Sequence, residues 1–516
     1  MAERTKSAAS LGHLARGKVL AMSAKSGSAR PRRSVVGTLL GLLVKVVLTA
    51  ISVAIPLLGA WFATSLAVYL DGPLWLAITA GGLLALALPL LWELWSDARR
   101  RRKKTRGDRV LGTFDRLVLR TLTLNLLFLA VILFAYPRQG FAAISTRGDW
   151  MLGDSHSATA EAVRGALFDV AGGLEWLYDS ATSNPYAKYA DTGDGTRPTP
   201  TPEPQTEPTP LPGASSDAGH RLGASGHSWP LDPTIHPAVA AMPDSAKVSV
   251  EAVGRYLRAQ VPDPYLRVKA LHDFVAEWLA YDAPALASGD LPSQRAADVF
   301  AARTAVCAGY AQLLVALGEV TGDHVVYVTG HSRASGEDLD GVGHAWNAVE
   351  LDGAWYLIDP TWDAGFVSGD TFTPQYRSDY LFTPPAIFAR DHFPDDAAWQ
   401  LLAKPLSRGE FLRQPALSPS FFSRGLRLVS PARSQVDVAG ALDLVIDNPR
   451  GAWLLAVAVD KGSAAKIKCA GPLNDPRTSL HCGFPADGRY QVEILVGDAQ
   501  YGTFRSVGYV EANSGD

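Results

Sequence analysis

The sequence has few cysteines, few charged residues and none of the common metal-binding spacings. Only three of its 516 residues are cysteine, and Asp, Glu, Lys and Arg together make up 19%. None of the eleven histidines stands in an HExxH motif and no two cysteines form a CxxC pair, so the sequence indicates no zinc site. No glycine loop that would cradle a phosphate stands out, and no acidic loop resembles a calcium site. We therefore expect no metal and no cofactor.

The sequence also lacks a nucleic-acid footprint, because its basic runs flank apolar stretches instead of lining a folded face. Hydrophobic residues make up 47% of the chain. Three apolar runs, at about 46–70, 73–92 and 117–136, approach the length of about 20 residues that a helix needs to cross a bilayer. Buried core helices or a cleaved signal peptide explain such runs poorly. We predict a basic cytoplasmic tail over 1–34 and a membrane domain with three transmembrane helices over 35–137.

Lys and Arg predict the orientation of these helices. Basic residues precede the first run, and Arg99–Arg109 between the second and third runs is rich in them. Positive charge favours the cytoplasmic side, so the hairpin at Asp71–Gly72 faces outward and everything after the third run is exported. An even number of spans would reverse this assignment. The predicted location is the cytoplasmic (inner) membrane, with a multi-pass anchor and the remaining three-quarters of the chain on the periplasmic or extracellular side.

A chain of this length is too long for one hydrophobic core, and composition divides the exported part into four regions. Residues 138–195 form a juxtamembrane helical region, with one helix predicted over about Thr159–Tyr178. Residues 196–232 are a Pro/Thr/Gly/Ser-rich linker, in which alternate prolines favour an extended, semi-rigid spacer. Residues 233–405 alternate helical and strand patterns, and 406–512 read as a β-sandwich. Cys469 and Cys482 lie in that last region and can pair in an oxidising compartment if their geometry allows.

The third cysteine, Cys307, has no such partner nearby. Val306, Tyr310, Leu313, Leu314 and Leu317 recur at helical spacing, so a helix begins at or just before it. A cysteine there sits among unpaired backbone N–H groups at the positive end of the helix dipole, which favour the thiolate and can bind a developing oxyanion. On this evidence alone, Cys307 can equally be a small buried apolar residue.

A hairpin supplies possible partners for the thiol. Residues 343–359 read GHAWNAVELDGAWYLID, two alternating runs around Asp352–Gly353, a strong two-residue turn signal. In that register Trp346 lies opposite Asp359, and His344 is two residues away on the same face. His344 and Asp359 are then diagonal neighbours across the two strands. The carboxylate can hold the imidazole in one tautomer while its other nitrogen meets a thiolate.

At these residues the sequence resembles the bacterial transglutaminase-like superfamily, closest to its kyphoscoliosis-peptidase-like branch. The resemblance rests on three segments in order, AVCAGYAQLL, GHAWNAVELDGAWYLIDPTWD and SDYLFTPPAIFARDHFPDDAAWQLL, and covers about residues 250–405. It implies a papain-like α+β core in which Cys307 is the nucleophile, His344 the general base and acid, and Asp359 the orienting group. It also implies a sandwich after the core and a bacterial source.

Other residues and functions stay open. Gln294 can donate to the oxyanion or be a polar loop residue, and Asp363 can replace Asp359 as the orienting group. Trp346 and Trp362 can wall the cleft or pack in the core. The predicted reaction is acyl transfer from a peptide or protein amide through a Cys307 thioester, with hydrolysis favoured by the resemblance. The alternatives are a protein-crosslinking transglutaminase, a non-catalytic binding module of the cell envelope, and a membrane-embedded scaffold.

Overall fold

The computed structural model describes residues 35–70, 72–102, 111–153, 155, 157–190, 220–222, 226–334, 341–469 and 471–515. The basic tail 1–34, the basic residues 103–110 and the linker residues 196–219 lie outside the described residues, so the predictions made for them stay predictions. The chain divides into two compact units, Met1–Ala54 and Ile55–Asp516. The first unit contains the beginning of helix α1, and the second contains all other elements.

The N-terminal region is helical and apolar. Its helices are α1 (Val35–Tyr69), α2 (Leu74–Gly82), α3 (Leu88–Arg102) and α4 (Thr113–Ala135). One π-helical turn, Leu83–Ala87, joins α2 to α3 without a break. Three stretches are long and apolar enough to cross a membrane, namely Leu42–Tyr69, Leu74–Arg102 and Thr113–Ala135. The prediction of three apolar spans is confirmed.

The described residues of 137–181 form three α-helices, α5 (Pro137–Arg147), α6 (Ala158–Gly172) and α7 (Glu175–Ala181). The single helix predicted over Thr159–Tyr178 is therefore wrong. It is interrupted at Gly173 and Leu174, where the adjacent glycines Gly172 and Gly173 carry a high helix cost. This module packs on the residues that follow the central domain, because the Arg408 backbone N–H donates to Glu175 Oε1 at 2.7 Å and Arg413 Nη1 donates to the Ser145 carbonyl at 2.7 Å.

The central domain places helices against a five-stranded antiparallel sheet. Its helices are α8 (Pro237–Ala240), α9 (Val250–Gln260), α10 (Pro264–Trp278), α11 (Ala283–Ser288), α12 (Ala296–Ala302), α13 (Cys307–Thr321), α14 (Pro360–Ala364) and α15 (Pro385–Phe388). The sheet has the order β10-β7-β6-β5-β11, with strands β5 (His324–Ser332), β6 (Val342–Leu351), β7 (Ala354–Ile358), β10 (Leu381–Thr383) and β11 (His392–Pro394). Helix α13 packs on β5 and β6, and α9 and α10 pack on α13.

Short strand pairs flank this domain. They are β1 (His220–Arg221) with β2 (Ser228–Trp229), β3 (Ala280–Tyr281) with β4 (Thr304–Ala305), and β8 (Gly365–Ser368) with β9 (Thr371–Pro374). The β3–β4 pair is parallel and fixes the chain just before Cys307.

The C-terminal region is rich in β-structure, as predicted. It opens with α16 (Arg408–Arg413) and α17 (Pro419–Ser423). One sheet contains β12 (Ala416–Leu417), β14 (Val436–Val438), β16 (Trp453–Asp460), β17 (Lys466–Lys468), β19 (Gly488–Gly497) and β20 (Phe504–Ser514); the other contains β13 (Arg427–Ser430), β15 (Ala441–Asp447) and β18 (Arg477–Gly483). Both sheets contribute to one hydrophobic core, which makes the region a sandwich. Cys469 and Cys482 form a disulfide within it.

Candidate active site

Cys307 is the first residue of α13, as predicted. Val306 before it is extended, with φ −89° and ψ 179°, so the chain turns into the helix at the cysteine itself. The first-turn backbone N–H groups of a helix have no partner within that helix, and Cys307 stands at this end of α13. No acidic residue lies in this first turn to oppose a thiolate. The Cys307 side chain is only 1% exposed.

The β6–β7 hairpin has the predicted register. Leu351 pairs with Ala354 and Asn347 pairs with Ile358. The turn residues Asp352 and Gly353 have φ of 53° and 75°, the left-handed conformation that a two-residue hairpin turn of this type requires. Asp359 follows the last residue of β7 and caps α14.

Cys307, His344 and Asp359 meet at this point. His344 Nε2 lies 2.7 Å from Asp359 Oδ2, and the Cys307 sulfur is close enough to the His344 ring to raise its pKa, which leaves Nδ1 to face the sulfur. Asp359 Oδ1 accepts from the backbone N–H groups of Thr361 at 2.8 Å and Trp362 at 3.2 Å. The carboxylate is therefore fixed on both oxygens, and it fixes the imidazole in turn.

The charged forms of His344 and Asp359 stabilise each other. Burial lowers the pKa of His344, but the Asp359 carboxylate and the Cys307 sulfur raise it more, to about 10. Burial likewise raises the pKa of Asp359, but the His344 and His392 rings lower it well below its usual range. At neutral pH the site therefore contains an imidazolium that is held by a carboxylate and lies beside the Cys307 sulfur.

A second histidine bonds the same carboxylate, and no role was predicted for it. His392, on β11, places Nε2 at 3.2 Å from Asp359 Oδ2 and Nδ1 at 2.7 Å from Asp391 Oδ1. Asp391 Oδ2 accepts from the Tyr380 hydroxyl at 2.6 Å. Tyr380, Asp391 and His392 lie in the third segment of the family resemblance, but the sequence pattern of that segment alone did not reveal what they contact. The buried chain runs from Cys307 to Tyr380 through alternating rings and carboxylates.

His344, Asp359 and His392 also have the donor types that a transition metal accepts, and their ligand atoms all lie within 4.8 Å of one another. The separations of 2.7 and 3.2 Å within the cluster are those of hydrogen bonds. We therefore describe the cluster as a hydrogen-bonded network.

The alternative residues fall elsewhere. Gln294 is buried, and its Oε1 accepts from the Val306 N–H at 3.1 Å, while its Nε2 donates to the Pro292 carbonyl at 2.9 Å. It thus braces the chain entering Cys307. Asp363 bonds His272 Nε2 at 3.1 Å and accepts from the Tyr380 N–H at 2.9 Å, so it belongs to a second buried cluster around His272 and does not bond His344.

The two tryptophans flank His344. The ring centroids of Trp346 and Trp362 lie 6.0 and 5.7 Å from that of His344. Trp346 is buried and Trp362 is partly buried, and both pack in the small core behind the network. Both tryptophans therefore line the His344 imidazole and also pack in a core, the two alternatives that the sequence left open.

A segment of the juxtamembrane region covers the thiol. The Tyr186 side chain lies beside Cys307, since burial together with this sulfur raises the pKa of Tyr186. The Asn184 side-chain amide donates to the Gly330 carbonyl at 2.6 Å and the His344 carbonyl at 3.1 Å. The function of residues 138–190 was not legible from sequence; the structure shows that the end of this region enters the site.

Comparison with known proteins gives a family match over this region. The model of the transglutaminase-like superfamily matches residues 251–360, which include all three residues of the predicted triad. The chain carries a transglutaminase-like domain. It is 34% identical over 190 residues to the kyphoscoliosis peptidase of Mus musculus, covering 35% of this chain and 29% of that protein. The Homo sapiens kyphoscoliosis peptidase is 33% identical over 177 residues, covering 33% and 27%.

A third relative is the Lim and transglutaminase domain protein ltd-1 of Caenorhabditis elegans, 29% identical over 160 residues, which cover 27% of this chain and 22% of that protein. The chain thus spans less than a third of each of these relatives, all of them animal proteins, and the predicted bacterial source stays a prediction. A solved structure described as "Crystal structure of a TGase" is 21% identical over 24% of this chain and 34% of that chain. Its TM-score of 0.18 is too low to support a comparison.

Proposed function

We propose that this protein is a membrane-anchored thiol enzyme that cleaves amide bonds of a peptide or protein through a Cys307 thioester. The observation that carries the proposal is the series Cys307–His344–Asp359 at the start of helix α13, in which His344 hydrogen-bonds Asp359 and lies beside the Cys307 sulfur. A nucleophile, a base within reach of it and a group that orients the base are the parts that covalent acyl transfer requires.

The reaction begins with a thiolate–imidazolium pair. The Cys307 sulfur attacks the amide carbonyl carbon, an S–C bond forms, and the carbonyl electrons move to oxygen. Backbone N–H groups in the first turn of α13 stabilise that oxyanion. As the oxyanion collapses, the C–N bond breaks and His344 gives its proton to the leaving amine. In the second half His344 takes a proton from water, the hydroxyl forms a C–O bond, and the C–S bond breaks to release the acid and restore the thiolate.

The choice of water as acceptor follows the relatives named as peptidases. If a lysine or another amine attacks the thioester, the same residues make a transglutaminase. Incubation with a glutamine-containing peptide, with and without a primary amine, separates the two by the mass of the product. Cys307→Ala should abolish both products; a variant that retained full activity would refute the thioester.

The location completes the proposal. Three helices are long and apolar enough to cross a membrane, and α3 ends in Arg99–Arg102. Basic residues at that end favour the cytoplasmic side, so the transglutaminase-like domain lies on the opposite side. A reporter fused after Asp516 that is active only in the cytoplasm would reverse this orientation.

One observation favours a second candidate, a non-catalytic binding module. Cys307 is 1% exposed and His344 is 5% exposed, so the site as it stands admits no substrate carbonyl. A binding module would not need to uncover its thiol. An acyl-enzyme trapped on Cys307 and detected by mass would exclude this candidate.

A further inference from the structure

The segment Asn184–Tyr189 crosses the ends of β5 and β6 above the thiol. Asn184 binds the carbonyl of Gly330 on β5 and the carbonyl of His344 on β6. Two residues further on, the Tyr186 ring is 3% exposed and its hydroxyl meets the Cys307 sulfur. The segment thus lies where an amide carbonyl must lie to be attacked by Cys307.

The domain holds the main chain of this segment with two side-chain donors. The Tyr327 hydroxyl, from β5, donates to the Tyr186 carbonyl at 3.2 Å. Gln312 Nε2, from α13, donates to the Tyr189 carbonyl at 2.5 Å. The segment turns into a short 3-10 helix over Ala187–Tyr189, and both acceptors are backbone carbonyls, so these two contacts do not depend on the segment's side chains.

Strand β6 lets the segment approach closely at Gly343. A Cβ at Gly343 would lie 2.9 Å from Pro185 Cδ and 3.3 Å from Asn184 Oδ1. Glycine is thus the residue that lets the segment reach the hairpin beside His344.

We infer that Asn184–Tyr189 occupies the acyl-donor groove of the domain, and that Gln312 and Tyr327 bind main-chain carbonyls of a peptide substrate once this segment leaves. The cleavage of the bound peptide rests on the proposed function, whereas the binding of the peptide does not. Nothing else described at the groove supplies an occupant, whereas this segment belongs to the same chain and already contacts the thiol. The substrate class is therefore a peptide whose backbone replaces that of 184–189.

The first test measures access to the thiol in the full-length protein in detergent. The rate of Cys307 alkylation by iodoacetamide is followed by mass at pH 9, where an ordinary thiol of pKa about 8.5 reacts without help from His344. Tyr186→Ala should raise this rate at least about tenfold because it removes the ring above the sulfur. Gly343→Ala displaces the segment from below and should raise the rate as well. Tyr501→Ala, at a residue 92% exposed in the sandwich, is the matched control and should change nothing.

The second test asks whether the opened groove binds peptide. A synthetic peptide of residues 182–190, TSNPYAKYA, should slow alkylation of the Tyr186→Ala protein in a saturable way. Adding Gln312→Ala or Tyr327→Phe to that protein should weaken the protection several-fold, because each removes a donor to a peptide carbonyl.

Equal alkylation rates in the wild type, Tyr186→Ala and Gly343→Ala would overturn the inference, and so would a peptide that gives no protection. If Tyr186→Ala fails to fold, Gly343→Ala serves as the opened protein for both tests. Since neither test needs turnover, faster alkylation with peptide protection in a protein that cleaves nothing would support the groove and contradict the proposed function.

Discussion

Replacement of Asp359 by asparagine tests the centre of the proposed mechanism. The Asp359 carboxylate keeps His344 charged, since it raises the pKa of that ring to about 10 against the effect of burial. Two unit charges about 4 Å apart interact by about 4 kcal/mol at an effective dielectric constant of about 20. At about 1.4 kcal/mol per unit, the loss of this interaction lowers the pKa of His344 by about three units, to about 7 or below.

The assay is the pH dependence of Cys307 alkylation, measured from pH 5 to 10. In the wild type the imidazolium supports the thiolate, so labelling at pH 6 should reach a large fraction of its maximal rate. In Asp359→Asn the thiol loses that support and should titrate as an ordinary thiol of pKa about 8.5, so the relative rate at pH 6 falls by about 300-fold. Only relative rates within each protein are compared, so the covering by Tyr186 does not affect the result.

Asp363→Asn is the matched control for this measurement. Asp363 is also fully buried and also bonds a histidine, but that histidine is His272. The control should therefore leave the alkylation profile unchanged. An Asp359→Asn protein with the wild-type profile, or an Asp363→Asn protein that loses low-pH labelling, would refute the assignment of Asp359 as the group that orients His344.

Three other results are expected. His392→Gln weakens the hold on Asp359 and should lower kcat by about tenfold with little change in KM, whereas His272→Gln should change neither, as steady-state kinetics can check. Replacing Cys469 and Cys482 by alanine opens a loop with a sequence separation of 13 and should lower the free energy of unfolding of the sandwich by about 3 kcal/mol, measured by denaturant titration; no change would contradict this. The pKa values of His344 and His272 are about 10 and about 9, above the ordinary histidine value of about 6.5. Between these values the folded state binds more protons than the unfolded state. The stability that the two protonated rings contribute is therefore complete below about pH 6.5 and decreases as the pH rises to about 10. The Tm should therefore fall from pH 7 to pH 10, and a Tm that rises over this range would show the sign to be wrong.

The sequence predicted those parts of the site in which a single hairpin or a single helix end fixes the positions of the residues. His344 and Asp359 are 15 residues apart on one hairpin, and the Asp352–Gly353 turn fixes their register. A period of two and a two-residue turn are enough to place both side chains on one face. The start of α13 at Cys307 is local in the same way, since the helical spacing of apolar residues ends there.

Contacts that depend on tertiary packing were missed. His392 is 33 residues from Asp359 and reaches it only because β11 pairs with β5, on the far side of β6. Tyr189 is 123 residues from Gln312 and reaches it through the packing of the juxtamembrane module. No periodicity joins such positions, so a pattern of polar residues in either segment could not show what they contact.

The two buried histidine clusters of the domain separate stability from function. In the His272 cluster the acceptors serve the scaffold: Asp363 binds the backbone N–H groups of Asp379 at 3.0 Å and Tyr380 at 2.9 Å, and Asp273 binds Lys269 Nζ at 2.8 Å. Removing one partner there leaves a buried charge or donor unpaired. In the other cluster one imidazole nitrogen faces the Cys307 sulfur, which is a weak acceptor and satisfies a buried N–H poorly. An arrangement selected for stability would place an oxygen at that position. A thiol there makes sense if the sulfur must take up and give back a proton, and so the chemistry of the weakest contact in the network supports catalysis over a purely structural role.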